Sequence, residues 1–232
     1  MILVACEESQ RVTVEFRKLG HVAFSCDLQP PSGGYPEFHI QCDVLSLLNG
    51  NCSFKTLDGL SHSISGRWNM IIAFPPCTYL TLAANKYYDF NKYGSNALER
   101  MENREKAIRF FLAFTKVDCE HIAIENPLGV MSTRYRKPDC IIQPWMFGEH
   151  ASKTTCLWLK NLPPLRPTDI VDISKRTENQ VVSSDGKLLS FATLVGSSGK
   201  KLSWNDPETQ KLRSKTFPGV AHAMAAQWGN VI

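Results

Sequence analysis

Short apolar runs that end abruptly in polar residues recur along the first two thirds of the chain. Residues 2–6 are apolar and partly β-branched, and Glu7, Glu8 and Ser9 follow. Within residues 10–19, Val12, Phe16 and Leu19 recur at i, i+4 and i+7, which predicts a helix closed by Gly20. Val12, Val14 and Phe16 also alternate, so a strand competes there. Residues 21–27 and 39–44 read as the next two strands, reaching the acids Asp27 and Asp43, with a Pro- and Gly-rich loop at 29–36 between them. Residues 68–74 have the continuous apolar character of a strand buried on both faces, and Pro75-Pro76 stops it.

A polar loop rich in Tyr and Asn runs to Ser95. A long helix should follow, with Asn96 as its cap, Glu99 at the capping-box position, and Met101, Ile108, Phe111, Leu112 and Thr115 on its inner face. Residues 120–127 form a fifth strand ending at Pro127 and Gly129, and residues 153–159 a further one. The interval 160–215 is weakly patterned and reads as a recognition insert or a loop. Residues 220–228 close with a helix that carries Pro218 near its start. Strands alternating with helices predict an α/β fold built on a doubly wound, mostly parallel sheet. The expected body is 1–159 with 216–232, and 160–215 is a small irregular insert.

Composition narrows the class. The chain has 232 residues, 43% hydrophobic and 21% charged, which excludes a disordered, coiled-coil or collagen-like chain. Its 26 basic and 22 acidic side chains leave +4, an excess that tolerates a polyanion without announcing one. The first apolar run lacks a basic leader and ends in acids, so neither a signal peptide nor a membrane span is expected, and a cytoplasmic setting is. Eight scattered cysteines, without CxxC or HExxH, give neither a disulfide framework nor zinc spacing, and no metal is expected.

In doubly wound sheets ligands bind at the carboxyl ends of the strands. That directs attention to Cys6-Glu7-Glu8-Ser9, Asp27, Asp43, Pro75-Pro76-Cys77-Thr78 and Glu125-Asn126. A carboxylate at the end of the second strand suits a pair of ribose hydroxyls, though Asp27 equally suits a turn. Cys77, held behind two prolines, is either an accessible nucleophile or a small apolar residue after a strand stop. Glu125, at the tip of a neighbouring strand, is a buried acid able to hold a proton near neutrality, or an ion-paired residue at an Asn-Pro turn.

Ala73-Phe74-Pro75-Pro76-Cys77 and Ile124-Glu125-Asn126-Pro127 resemble the Pro-Cys and Glu-Asn-Val motifs of the S-adenosylmethionine-dependent DNA cytosine-5 methyltransferases. The order of parts is similar across residues 1–159, and Phe217-Pro218-Gly219 resembles the family's closing segment. The resemblance implies a Rossmann-like methyltransferase fold with S-adenosylmethionine as cofactor, bound by Cys6, Glu7, Ser9, Asp27, Asp43 and Phe74. It implies catalysis by Cys77 adding to C6 of cytosine, with Glu125 and Asn126 supporting the ring, and DNA as partner, the target base being flipped out of the stack. Arg100, Arg104, Arg134, Arg136 and Lys137 would then contact phosphates, or form an ordinary solvated basic surface. The overall look is that of small phage-type methyltransferase-like proteins, which implies the cytoplasm of a bacterial or phage-infected cell.

The departures are specific. The first loop has no glycine, and the family's Gln-x-Arg-x-Arg element is not visible, Gln143-Pro144-Trp145 and Lys153-Thr154-Thr155 being only loose substitutes for it. The interval 160–215 is short for base readout, which suits relaxed specificity or a smaller substrate. Three rivals remain. An amino methyltransferase needs a polar residue before Pro-Pro, where Phe74 stands, although Tyr79 offers an aromatic nearby. The others are an enzyme methylating a free pyrimidine nucleotide, and a silent protein binding nucleic acid or S-adenosylmethionine.

Overall fold

A computed structural model describes residues 1–172 and 214–231. The strands are β1 (Ile2–Ala5), β2 (Ala23–Asp27), β3 (His39–Gln41), β4 (Cys52–Lys55), β5 (Ser61–Ile64), β6 (Met70–Ala73), β7 (His121–Pro127), β8 (Cys140–Ile142) and β9 (Thr155–Lys160). The helices are α1 (Arg11–Lys18), α2 (Phe90–Tyr93), α3 (Ser95–Thr115), α4 (Met131–Arg134) and α5 (Pro218–Trp228). Seven strands form one sheet in the order β3-β2-β1-β6-β7-β9-β8, and β4 and β5 form a separate antiparallel hairpin.

From β3 through β7 the neighbours are parallel, whereas β9 runs antiparallel to both β7 and β8. The chain therefore builds outward from β1 in one direction through β2 and β3, then returns to lay down β6 and β7 on the other side. This reversal puts the switch point between β1 and β6, where a doubly wound sheet opens a crevice at its carboxyl edge. The α/β architecture is compatible with a Rossmann-like fold. The expected parallel character holds for β3, β2, β1, β6 and β7, and the far edge of the sheet is mixed.

All four residues of β1 and all four of β6 are buried, as continuous apolar strands in the middle of a covered sheet require. One face packs Leu3, Phe24 and Ile71 against Phe111 and Phe114 of α3 and Phe54 of the hairpin. The other packs Ile2, Val4 and Ile72 against Phe16 of α1 and Met224 and Trp228 of α5. Beyond residue 160, Leu162 and Leu165 join this second core, and Trp228 Nε1 donates to the Pro163 carbonyl at 3.0 Å. The rest of the expected insert, 173–213, lies outside the described residues.

Several local expectations need correction. Leu19 is 52% exposed, so the inner stripe of α1 rests on Val12, Thr13 and Phe16. The third strand stops at Gln41, and Asp43 instead accepts from Leu45 N at 3.0 Å as the cap of a short 3₁₀ turn. Helix α3 starts at Ser95 after Gly94, whose φ of 53° no L residue adopts cheaply, and no side chain caps it. Asn96 is thus not the cap, and Met101, 48% exposed, is not on the inner face; Ala97, Ile108, Phe111 and Phe114 are. The loop before Ser95 contains a 3₁₀ stretch, Leu82–Tyr88, and α2.

Candidate active site

Parallel pairing of β6 with β7 aligns Ala73 with Ile124, so Phe74, just past the end of β6, comes beside Glu125, which β7 still holds in register with Leu157 of β9. The two loops that follow are then tied together. Asn126, buried, donates from Nδ2 to the Pro75 carbonyl at 2.7 Å. Leu80 N and Thr81 N both donate to the Cys77 carbonyl, closing a turn. Val130 N donates to Leu80 O at 2.9 Å, and Thr81 bridges Gly129. A Cβ at Gly129 would overlap the Leu80 carbonyl, so the close approach of the two loops depends on that glycine. The Pro-Pro-Cys turn is thus fixed against the tip of β7, with Cys77 exposed on it.

Glu125 faces a narrow cleft that it lines with Phe74, Lys153, Thr155, Thr216 and Phe217. Burial pushes its pKa up, while the Lys153 ammonium and the Thr155 hydroxyl pull in the opposite direction. The net effect is a carboxyl that holds its proton above the ordinary range. Cys77 is not among the residues that line this cleft.

The two sequence fragments read as loose substitutes for a single element are brought together. Gln143 donates to Thr154 Oγ1 at 2.7 Å and accepts from Lys153 N at 3.0 Å, and this clamp carries Lys153 and Thr155 to the side of Glu125. The closing segment arrives by another route. Arg11 Nη1 donates to the Thr216 carbonyl, and Gly219 fits against the Phe147 carbonyl where a Cβ would overlap it.

The carboxyl ends of β1, β2 and β3 gather a different chemistry. Glu7, 3% exposed, accepts from Val12 N at 2.6 Å and from Thr13 N and Oγ1, which makes it the cap of α1. Cys6 and Gln10 both have φ of 59°, the left-handed region that glycine enters without strain. Burial, with Asp27 and Asp43 nearby, pushes the Cys6 thiol up to about 12. Asp27 accepts from Gln29 N at 2.9 Å and is itself raised by burial. Ser9 is buried, Asp43 is exposed, and Glu8 has two buried carboxylate oxygens with no hydrogen-bond partner. Acceptors of this kind suit hydroxyls and a positive charge, and they repel a phosphate.

The basic residues divide. Arg134 forms a two-pronged ion pair with Glu105, at 2.7 Å on each arm, and Arg136 pairs with Asp139 at 2.7 Å. Arg100 and Arg104 instead pack on tyrosine rings. Sequence reading passed over this tyrosine–arginine cluster, and its only signal was the density of Tyr after Cys77. Among the described residues no helix is long and apolar enough to cross a membrane, and no three metal-ligating side chains converge. No protein-family model matches this chain, and no curated protein matches it.

Proposed function

We propose that this protein is an S-adenosylmethionine-dependent methyltransferase that modifies C5 of cytosine in DNA. The observation that carries the reading is the Asn126–Pro75 hydrogen bond, which joins the loop bearing Cys77 to the strand tip bearing Glu125 beside one cleft. The strand order is compatible with it, since five neighbouring parallel strands fit the mostly parallel, Rossmann-like sheet that the sequence resemblance implies.

The cofactor would lie along the ends of β1, β2 and β3, with Asp27 accepting from ribose hydroxyls and Glu8 facing positive charge. This acid-rich edge disfavours a phosphate-bearing dinucleotide. Bound there, S-adenosylmethionine supplies an electrophilic methyl group. Cys77 adds its sulfur to C6 of the base, and the electron pair moves to C5, which becomes the nucleophile. Glu125, whose burial favours the protonated form, would donate to the ring nitrogen and steady the charge. Methyl transfer to C5 would leave S-adenosylhomocysteine; solvent then takes the C5 proton as the C6–sulfur bond breaks, so that the Cys77 thiolate departs and the C5–C6 double bond is restored. Phe74 and Phe217 wall the cleft and limit water.

Nucleoside mass spectrometry of DNA from cells expressing the protein tests the reading. New 5-methylcytosine should appear with the wild type and vanish with Cys77→Ser and with Glu125→Gln. Undiminished 5-methylcytosine from Cys77→Ser, or none from the wild type, overturns it.

A further inference from the structure

Four of the six tyrosines lie between positions 79 and 93, directly after Cys77. They are arranged around two arginines of α3. The Arg104 guanidinium sits 3.5 Å from the Tyr88 ring centre, and Arg100 lies 5.2–5.4 Å from the rings of Tyr79, Tyr87 and Tyr88. Hydrogen bonds hold the cluster to the reactive turn. Arg104 Nε donates to the Tyr79 carbonyl at 2.9 Å, and Tyr88 Oη donates to the same carbonyl at 3.2 Å. The Nε of Arg100 is buried without a hydrogen-bond partner.

The outer side of this cluster is apolar and bare. Tyr87 is 40% exposed and Phe90 55% exposed, a costly display on one short segment of a water-facing surface. Lys86 and Lys92 flank them, 5.0 and 5.5 Å from the rings of Tyr87 and Tyr93, and neither forms an ion pair among the described residues. Rings interleaved with unpaired cations match a polyanion whose flat bases are accessible. Paired, stacked duplex DNA does not offer base faces, whereas an unpaired strand does.

We propose that the surface formed by residues 79–93 and the first half of α3 binds single-stranded DNA, with bases stacked on Tyr87 and Phe90 and phosphates held by Lys86 and Lys92. This rests on the proposed function in one respect only, that the strand delivers a cytosine to Cys77. Tyr79, which ties the cluster together, is two residues from Cys77, so the platform and the proposed nucleophile belong to one segment of chain. The substrate is then an already open strand, and no base has to be extracted from a duplex.

Fluorescence anisotropy with a labelled oligodeoxycytidine strand of about twelve nucleotides, within the usual site sizes for such folds, provides the test. The comparisons are the same strand annealed to its complement, and unlabelled deoxycytidine monophosphate as competitor. The open strand should bind at least about tenfold more tightly than the duplex, and Tyr87→Ala/Phe90→Ala should weaken it by about tenfold or more, as loss of base stacking does. Lys86→Gln/Lys92→Gln should lower affinity and flatten its dependence on salt. Both double variants should remain folded, which thermal unfolding checks, since all four side chains are exposed.

Equal or tighter binding of the duplex overturns the proposal, as does unaltered strand binding by Tyr87→Ala/Phe90→Ala. Competition by the mononucleotide at equal nucleotide concentration overturns it too. Strand binding without any methylated base would leave this surface standing and remove the proposed activity. Methylated duplex without strand binding would do the reverse.

Discussion

Glu7 sets an acid beneath the first turn of α1, and burial pushes its pKa up to about 7 from an ordinary 4.5. The folded protein therefore holds this proton more tightly than the unfolded chain does. The resulting stability is fully present below pH 4.5 and is lost as the pH rises to about 7. Glu125, raised in the same direction, adds to the fall. Chemical denaturation should give a smaller unfolding free energy at about pH 8 than at about pH 5, with Glu7→Gln removing much of the difference, since tenfold in proton affinity is worth about 1.4 kcal/mol. Equal values for the wild type at both would contradict this assignment. The same loop shows why its geometry was hidden in the sequence. Cys6 and Gln10 take the left-handed conformation where a glycine would be looked for. Gln10 is held there by bonds from its side chain to both backbone polar groups of Tyr35. Tertiary contacts impose a backbone that residue type alone argues against.

At the level of elements, the reactive turn is positioned by the loop after β7 as much as by β6. Gly129→Ala should push the two loops apart, because the added methyl would overlap the Leu80 carbonyl. Methyl transfer should fall at least about tenfold, with a stability loss of about 1–3 kcal/mol of the kind overpacking causes. Turnover and denaturation measured on the same preparation check both parts, and unaltered turnover would show that the turn is positioned otherwise. The strands that reach this region were legible because each is an apolar run cut off by a polar or proline stop, as at Pro75 and Pro127. The hairpin of β4 and β5 was not. It buries only Phe54 and Ile64 fully, too few positions for an alternating pattern to emerge from polar surroundings. Helix α3 was legible in its second half, where Ile108, Phe111 and Phe114 face the core. Its start was misread because an uncapped entry through Gly94 leaves no polar signature. Cys77 and Glu125 were singled out through strand ends and motif resemblance. Lys153 and Thr155 were only half found, since their place beside Glu125 depends on the Gln143 clamp.

For the molecule as a whole, α5 is the piece that closes the second face of the sheet. Gly219→Ala should destabilise the protein by about 1–3 kcal/mol, since a methyl there overlaps the Phe147 carbonyl and the helix must shift. An unshifted thermal midpoint would show that the contact relaxes without cost. Helix α5 packs against α1 through Val220, Ala221, Met224 and Trp228, while Val12 and Phe16 of α1 are made well before it. Arg11 and Thr216, which join the two regions, are 205 positions apart. At about 5–20 residues per second on the ribosome, that separation takes about 10–40 s. For this interval the apolar stripe of α1 has been synthesised while its cover has not. The nascent chain therefore waits with a sticky flank uncovered, and its yield in cells should respond to translation speed and to the supply of chaperones.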